Sequence, residues 1–287
     1  MKIKGLIYTL VLLLAAMPVK AQFFYSAGEA GVSMGAAQYF GDLNERSFKY
    51  VRPAGGAYFR YHFNPYISGK VSLNYAHIGF DDKLSSNEYD RKRNLNFKSE
   101  IFEASIQAEF NFFKFATGDE DHRFTPYLTG GFGVFYYNPY TEFNGRRYYL
   151  RPLGTEGQNV GYNQHKYNRT SYCFPVGVGV KYWLRPGVNL GFEIADRLTL
   201  TDYIDDVSAY YVDRSFFAGS LSDPAPAYYI QDRSLEVTPN DPLGRPGKQR
   251  GNTSTRDQYL TAVITLSFQL KVYKCPGYLN KDFSQGR

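Results

Sequence analysis

The chain lacks long apolar runs and a strong net charge, and each absence excludes a class of protein. After residue 21, no apolar stretch approaches the roughly 18 residues that a membrane-spanning helix needs. The 33 Lys and Arg residues exceed the 27 Asp and Glu by six, and by only three without Lys2, Lys4 and Lys20. That excess is too small to indicate a nucleic-acid-binding protein. The chain is instead rich in aromatic residues, with 27 Tyr and 23 Phe.

Residues 1–21 have the features of a secretory signal peptide. Lys2 and Lys4 precede an apolar stretch that ends at Met17, and Val19-Lys20-Ala21 places small residues at the two positions that a signal peptidase reads. No cysteine stands at the cleavage point, so we expect a mature terminus near Gln22 without a lipid anchor. The predicted organisation is a signal peptide at 1–21, a barrel at 22–273 and a periplasmic tail at 274–287.

Eight segments alternate apolar and polar side chains with a period of two, which indicates β-strands and not helices. The predicted strands are 30–39, 55–63, 67–78, 97–113, 126–137, 171–184, 188–201 and 259–273. In the fourth of these, Glu103 to Glu109 alternate between a polar face and an apolar face that carries Phe102 and Ile106. With the abundant Tyr and Phe, this pattern predicts an all-β fold, an eight-stranded antiparallel transmembrane β-barrel.

The predicted connections alternate between short and long. Asn64-Pro65-Tyr66 and Arg185-Pro186-Gly187 are tight turns, 114–125 is of middle length, and the long links are 40–54, 79–96, 138–170 and 202–258. A soluble β-sandwich also alternates apolar and polar residues, but it has no reason to alternate its connections in this way. The link 202–258 is far longer than ordinary connections, and such loops are usually functional or disordered; both alternatives stay open.

The connection lengths predict an orientation in the bacterial outer membrane. Short turns face the periplasm and long loops face outward in such barrels, and an even number of strands puts both termini on the periplasmic side. We therefore expect a multi-pass outer-membrane protein with short periplasmic turns, long extracellular loops and both termini in the periplasm, in contact with membrane lipid and lipopolysaccharide.

The polar faces of the strands place a nearly balanced set of charges inside the predicted barrel. The expected lumen charge network consists of Arg60, Lys70, Glu103, Glu109, Lys181, Glu193 and Arg197. Because eight strands enclose only enough room for side chains, we expect these charges to pair into a plug; a proton or solute path is the alternative. Asp196 falls on the lipid side of its strand, where a bulge or a position among the outer headgroups would relieve it.

The two cysteines lie at opposite membrane surfaces in this topology. At about 3.3 Å per residue, Cys173 and Cys275 stand roughly 30 Å apart and cannot bond within one chain. We expect Cys173 to be a small packed side chain on the lumen face. Cys275 precedes Pro276 in a short polar tail within an oxidising compartment, where an unpaired thiol tends to find a partner. We hypothesise a mixed disulfide between Cys275 and a periplasmic protein; a free thiol is the alternative.

The outer loops carry weaker candidates for chemistry. An Asp-His site would need Asp202, Asp205 or Asp206 beside His165 or His77, and nothing in the sequence fixes that geometry. We therefore predict a protein that is not an enzyme, without a cofactor. The same acids and Asp213 could gather a divalent cation, but a solvated or lipopolysaccharide-bridging acidic rim is the simpler interpretation. The basic run Arg91-Lys92-Arg93 is expected to face lipid phosphates.

Several strings in the chain resemble those of a known family of outer-membrane barrels. The strand segments that carry the resemblance are Tyr39-Phe40-Gly41-Asp42-Leu43, Arg60-Tyr61-His62-Phe63-Asn64-Pro65, Asn94-Leu95-Asn96-Phe97-Lys98-Ser99-Glu100-Ile101 and Glu109-Phe110-Asn111-Phe112-Phe113. The outer-loop strings are more specific, because barrel physics does not demand them: Leu150-Arg151-Pro152-Leu153-Gly154-Thr155-Glu156-Gly157-Gln158 and Thr201-Asp202-Tyr203-Ile204-Asp205-Asp206-Val207-Ser208.

Together these strings resemble the PorG-type outer-membrane barrels of the type IX secretion system of Bacteroidota. The resemblance implies a role in a machine that exports folded cargo and, in gliding species, supports surface adhesin secretion. Members of this family are expected to contact a periplasmic ring of PorK-type and PorN-type proteins, which would give Lys274, Cys275 and Pro276 a role as the inward-facing contact. An eight-stranded barrel is too narrow to pass a folded protein, so the expected role is that of an anchor or assembly factor. The alternative is a general small barrel that binds lipopolysaccharide or external ligands through its long outer loops.

Overall fold

The computed structural model describes residues 28–44, 47–116, 120–161, 166–217 and 225–270. Eight long strands form the barrel: β1 (Glu29–Phe40), β2 (Arg52–His62), β3 (Ile67–Asp81), β4 (Asn96–Asn111), β5 (Phe124–Tyr136), β8 (Thr170–Arg185), β9 (Val188–Thr199) and β10 (Gln258–Gln269). Two short strands, β6 (Tyr140–Phe143) and β7 (Arg146–Tyr149), lie in an outer connection. The α-helices are α1 (Glu88–Arg93), α2 (Leu150–Leu153) and α3 (Ala225–Ile230), and short 3₁₀ turns cover Asp82–Leu84, Glu120–His122, Arg214–Phe217 and Ser234–Glu236.

The eight long strands close into an antiparallel barrel, which confirms the predicted fold. Each strand pairs with the long strands before and after it in the chain, and β1 pairs with β10 from Glu29↔Gln269 to Phe40↔Gln258 to complete the ring. The longest register joins β3 to β4, from Ile67↔Phe110 to Asp81↔Asn96. Because the ring is closed, no long strand leaves an unpaired edge.

The strands turn their polar faces inward and their apolar faces outward, as the period-two pattern predicted. Glu103 and Glu109 on β4 are almost fully buried, whereas Phe102 and Ile106 on the other face are 54% and 68% exposed. Large exposed apolar side chains come from all eight long strands, so the belt encircles the barrel. An apolar belt around a polar interior is the arrangement of a barrel surrounded by lipid. No helix among the described residues is long and apolar enough to cross a membrane.

The tight turns at one end of the barrel have the chemistry that the sequence predicted. The Asn64 side chain accepts hydrogen bonds from the backbone N–H groups of Tyr66 and Ile67, both at 2.8 Å. Gly187 has a φ of +80°, a conformation that side chains disfavour. Both turns are therefore locally encoded.

Several predicted strand ends were wrong, mostly at the opposite end of the barrel. β3 continues to Asp81 instead of residue 78, β2 begins at Arg52 instead of 55, and β9 ends at Thr199 instead of 201. At the outer end of β3, Ile78, Gly79 and Phe80 are all buried, so neighbouring loops cover both faces of the strand. Burial on both faces removes the alternation from which strand ends are predicted.

The outer connections between β3 and β4, β5 and β8, and β9 and β10 fold over the barrel mouth, and we call their described residues the cap. The cap and the barrel share one apolar core, in which Leu95, Ile204 and Val207 pack with Tyr39 and Phe97. The β6–β7 hairpin extends the sheet at the outer end of β4 through Lys98↔Tyr140. The described part of the long final loop is therefore folded.

Candidate functional site: the lumen charge network and the cap

Glu109 is the centre of the inner half of the lumen network. Its Oε2 atom lies 2.7 Å from Arg60 Nε and 2.5 Å from Lys181 Nζ. Its Oε1 atom lies 3.5 Å from Lys70 Nζ. One carboxylate on β4 is thus shared by cations from β2, β3 and β8, so it joins strands on several sides of the barrel.

Two further acids complete the charge of this inner half. Glu29 on β1 forms an ion pair with Arg60 and accepts hydrogen bonds from Asn189 and, at 3.0 Å, from the Ser267 hydroxyl. Glu193 on β9 lies 2.6 Å from Lys70 Nζ and accepts a 2.7 Å hydrogen bond from the Tyr127 hydroxyl. Each cation of the inner half therefore has at least one carboxylate within ion-pair distance.

The outer half of the network is built around Glu103. Its Oε2 atom accepts hydrogen bonds from Arg197 Nε at 3.1 Å and from the Tyr259 hydroxyl at 2.7 Å. Its Oε1 atom accepts hydrogen bonds from Asn74 at 2.8 Å and from the Ser105 hydroxyl at 2.9 Å. Both oxygens are satisfied, so this buried charge has the hydrogen bonds that its removal from water requires.

Charge balance and close packing favour a plug over a path. The buried charges on the long strands are four acids (Glu29, Glu103, Glu109, Glu193) and four bases (Arg60, Lys70, Lys181, Arg197). A lumen cavity lined by Lys70, Glu103, Glu193 and Arg197, among others, has a volume of about 30 Å³. That volume holds roughly one or two water molecules. The described lumen is therefore a neutral, packed interior.

The cap holds more buried acids than buried bases. Its buried acids are Asp82, Glu156, Asp205, Asp206, Asp232 and Asp257, and its buried bases are Arg93, Arg233 and Arg250. Asp82 pairs with Arg93 at 2.7 Å, and Glu156 pairs with Arg250 at 3.1 Å. With fewer bases than acids, some of these carboxyl groups are stabilised by hydrogen bonds or by protonation instead of an ion pair.

Two cap carboxyl groups share a single hydroxyl group. Asp205 Oδ2 and Asp257 Oδ1 each lie 2.7 Å from the Tyr39 Oη atom. A tyrosine hydroxyl has one hydrogen, so it can donate to only one of them, and the other contact needs a protonated carboxyl group. Burial, together with the repulsion between neighbouring acids, raises the pKa of Asp205 and of Asp257 well above the usual range. The fold therefore keeps a proton at the mouth of the barrel.

Neighbouring acids of the cap have intermediate pKa values. Burial raises the pKa of Asp202 to about 7 and that of Asp206 to about 6. Asp206 accepts hydrogen bonds from the hydroxyl groups of Thr155 and Tyr167, at 2.5 and 2.6 Å. Both Asp202 side-chain oxygens are buried without a hydrogen-bond partner. These two residues change charge between acidic and neutral pH.

All seven residues predicted for the lumen charge network are buried inside the barrel, where Glu29 and Tyr127 join them. Glu29 was missed because the first strand was predicted to begin at residue 30, although its odd-numbered position fits the inward face. The lipid-side residue Asp196 pairs directly with Val176 and Leu260, without a bulge, three residues before the outer end of β9. Of the two explanations offered for it, the structure therefore favours a position near the outer headgroups.

Cys173 is fully buried in the core that the barrel shares with the cap, and it forms no disulfide with another described residue. The predicted partner-contact residues Lys274, Cys275 and Pro276 lie outside the described residues, as do the predicted signal peptide at 1–21 and the predicted tail at 274–287.

Two expectations for the outer loops were wrong. Asp205 and Asp206 are buried in the cap and do not form a solvated acidic rim, although Asp213 is exposed. Arg93 does not face lipid phosphates, because it is buried against Asp82. The residues considered for an Asp-His site do not come together either. His77 lies on the outward face of β3, whereas Asp205 and Asp206 lie inside the cap. His165 is outside the described residues. Among the described residues, no group of three or more His, Cys, Asp or Glu side chains is placed to hold a metal ion.

Residues 4–217 match a family model described as "Domain of unknown function (DUF6089)". The chain belongs to the DUF6089 family. The matched segment includes the barrel strands from β1 to β9 and ends within the final outer loop, before β10. No curated protein matches the sequence of this DUF6089 member significantly.

Solved structures similar to this DUF6089 barrel are small outer-membrane proteins of low sequence identity. Neisserial surface protein A is 9% identical, covers 85% of this chain and 97% of its own, and has a TM-score of 0.40. Ail, the attachment invasion locus protein of Yersinia pestis, is 11% identical with coverages of 85% and 99% and a TM-score of 0.38. The N-terminal β-barrel domain of Pseudomonas aeruginosa OprF is 8% identical, again with coverages of 85% and 99%, and its TM-score is 0.36. The similarity concerns the fold and gives no information about function.

Proposed function

We propose that this barrel is a non-enzymatic outer-membrane component of the type IX secretion apparatus and its gliding-related form, where it anchors or assembles the periplasmic ring. The observation that carries the proposal is the sealed interior: a neutral, packed lumen under a folded cap. Such a barrel offers no conduit for a folded protein, so a role in export has to act through a surface. The resemblance to PorG-type barrels supplies the identity of the machine.

The surface that we assign to this role is the periplasmic one, with both termini on that side. The tail at 274–287 follows β10 after the last described residue, and it includes Lys274, Cys275 and Pro276. We propose that this tail contacts ring proteins of the PorK and PorN types. A mixed disulfide through Cys275 would make that contact covalent in an oxidising compartment.

A deletion strain tests the proposed role. The measurement is the protein content of the culture supernatant and cell surface, with and without the restored gene. The proposal predicts that cargo accumulates in the periplasm and that the restored gene rescues export. Normal export without the gene would contradict it.

A non-reducing gel tests the covalent contact separately. Wild-type protein is expected to run partly as a heavier species that a reductant collapses, and Cys275→Ser is expected to lack that species. Cys173→Ser is the matched control, because Cys173 is fully buried in the core and is expected to play no part in the bond. If wild-type protein shows no reducible species, the tail contact is not covalent.

The second candidate function is a general small barrel that binds lipopolysaccharide or external ligands through its outer loops. The folded cap is the observation that favours it, because an ordered loop presents a fixed surface. The two candidates use opposite sides of the membrane, so variants of the tail and of the cap separate them.

A further inference from the structure

We propose that the outer rim of the barrel binds the phosphate groups of an outer-leaflet glycolipid through a basic patch formed by Arg52, His77, Lys98, Tyr140 and Arg147, which we call the rim patch. This proposal rests on the outer-membrane location in the proposed function and is independent of the secretion role. It places lipid recognition on the strand exterior, away from the basic run at residues 91–93 that the sequence suggested.

Strand register brings His77, Lys98, Tyr140 and Arg147 together on the outward face, and Arg52 stands at the first position of β2. His77 on β3 pairs with Glu100, and two residues further along, Gly79 pairs with Lys98 on β4. Lys98 in turn pairs with Tyr140 on β6. Arg147 on β7 lies opposite Glu142, next to the Tyr140↔Tyr149 pair. Four strand segments therefore contribute to one surface.

The rim patch lies directly beyond the lipid-facing belt. On the same face of β3 and β4, the next pair toward the membrane is Tyr75 and Phe102, whose ring centroids are 5.3 Å apart. Below them lie Leu73 and Ile106, both more than 60% exposed. A tyrosine between an apolar belt and a basic surface marks the interface where lipid headgroups lie. The rim patch is therefore at the height of the outer-leaflet phosphates.

Two arginines of the rim patch are oriented by aromatic rings and not by acids. The Arg147 guanidinium lies 4.1 Å from the centroid of the Tyr140 ring, and the Arg52 guanidinium lies 4.1 Å from that of Tyr50. Among the described residues, neither arginine has an ion pair. Arg52 also donates a hydrogen bond to the Tyr50 hydroxyl, and Arg147 hydrogen-bonds the Tyr149 side chain. The remaining N–H groups of both arginines can donate to phosphate oxygens.

The three cations of the rim patch lie around the His77 side chain. Arg52, Lys98 and Arg147 all interact electrostatically with the His77 ring, and His77 Nε2 is buried without a hydrogen-bond partner. Two acids lie on the same surface: Glu142 holds Lys98 Nζ at 2.9 Å, and Glu100 pairs with His77 and interacts electrostatically with Arg147. A phosphate would find three cations beside these two exposed acids.

The occupant that fits these features is a lipid with a phosphorylated sugar headgroup. Its acyl chains would lie along the belt at Leu73 and Ile106, its phosphate would meet Arg52, Lys98 and Arg147, and exposed tyrosine rings would border its sugar. A soluble acidic protein would match the charge but not the continuity of the patch with the apolar belt. Charge complementarity and this continuity therefore favour the lipid.

Binding of diphosphoryl lipid A to the full-length barrel in detergent micelles tests the proposal. Replacement of Arg52, Lys98 and Arg147 by Gln is expected to weaken binding about tenfold or more, because it removes the positive charge of all three donors to the phosphate. The matched control replaces three exposed cap cations, Arg91, Lys92 and Arg245, by Gln and is expected to change binding less than about twofold. Dephosphorylated lipid A should bind wild-type protein as weakly as the phosphorylated lipid binds the triple variant.

A gain-of-binding variant covers the case in which the triple variant does not fold. Glu142→Gln removes the acid that competes for Lys98 and is expected to tighten binding of diphosphoryl lipid A. Equal binding by wild-type protein and a folded triple variant would overturn the proposal, as would unchanged or weaker binding by Glu142→Gln. Because the assay uses purified protein, its failure is distinguishable from an export defect in cells.

Discussion

At the scale of single residues, the interior of the barrel depends on one acid more than on any other. Glu109 lies within ion-pair distance of Arg60, Lys70 and Lys181, and all four side chains are buried. Removal of one partner from a buried charge network leaves the remaining charges uncompensated in a medium that solvates them poorly. The network is therefore more sensitive to the loss of this acid than to the loss of any surface charge.

Glu109→Gln is expected to lower the free energy of unfolding by about 3–5 kcal/mol, because it leaves an excess of buried positive charge. Urea titration of the barrel in micelles or vesicles measures this change. Glu88→Gln is the control: Glu88 forms an exposed pair with Lys92, and its replacement is expected to leave the free energy of unfolding nearly unchanged.

A second substitution separates charge imbalance from loss of packing. Lys181→Met in the Glu109→Gln background removes one of the uncompensated cations and is expected to restore part of the lost stability. Similar costs for Glu109→Gln and Glu88→Gln, or no recovery in the double variant, would contradict this interpretation of the network.

The inward-facing charges of the barrel were predictable from the sequence, but their partners were not. The alternation of apolar and polar side chains along each strand assigns Glu103, Glu109 and Lys181 to the lumen without any knowledge of the fold. Which cation meets which acid depends on the stagger of the strands around the closed ring, and the pattern within a single strand carries no information about that stagger. Arg60 and Glu29 show this, since their strands pair in a register that the alternation leaves undetermined.

At the scale of structural elements, the cap behaves as a unit whose stability depends on pH. Asp202 and Asp206 have pKa values of about 7 and about 6 in the folded cap, above the value near 3.9 of an unfolded aspartate. The folded cap therefore binds more protons than the open cap between these pH values. Its stability is fully present at acidic pH and falls as the pH rises from about 4 through 7.

We expect the cap to open about tenfold more often at pH 8 than at pH 5, measured as hydrogen exchange at Ile204 and Val207 after correction for intrinsic rates. Asp202→Asn is expected to weaken this pH dependence, because it removes the ionisable group while keeping the size and shape of the side chain. Asp213→Asn, an exposed acid of the same loop, should leave the pH dependence unchanged. Faster opening at acidic pH would show that the sign is wrong.

The cap is the part of the fold that the sequence did not reveal. Its key contacts join distant segments, such as Arg250 to Glu156 across 94 positions, and no local pattern encodes them. The β6–β7 hairpin is different, because Asn144-Gly145 is a strong local signal for a two-residue turn and both residues have positive φ values, 51° and 73°. That hairpin was predictable from the chain and was overlooked within a long loop.

At the scale of the whole molecule, the closed barrel separates what happens on its two sides. The lumen is filled by paired charges, the mouth is covered by the cap, and the outward face meets lipid. A protein of this form can transmit no cargo through itself, so the proposed contribution to export acts through a surface, and we propose the tail after β10 for that role. The sequence predicted the strand number, the faces and the closed interior, because each follows from alternation and connection length.

The most direct test of this account is an export assay in the deletion strain, complemented either with a form truncated after residue 272 or with a form in which residues 218–224 of the final outer loop are replaced by a short glycine-serine linker. Both forms are first checked for insertion in the outer membrane. We predict that the loop form restores export and that the truncated form leaves cargo in the periplasm. Restored export by the truncated form, with failure of the loop form, would contradict it and assign the function to the outer face.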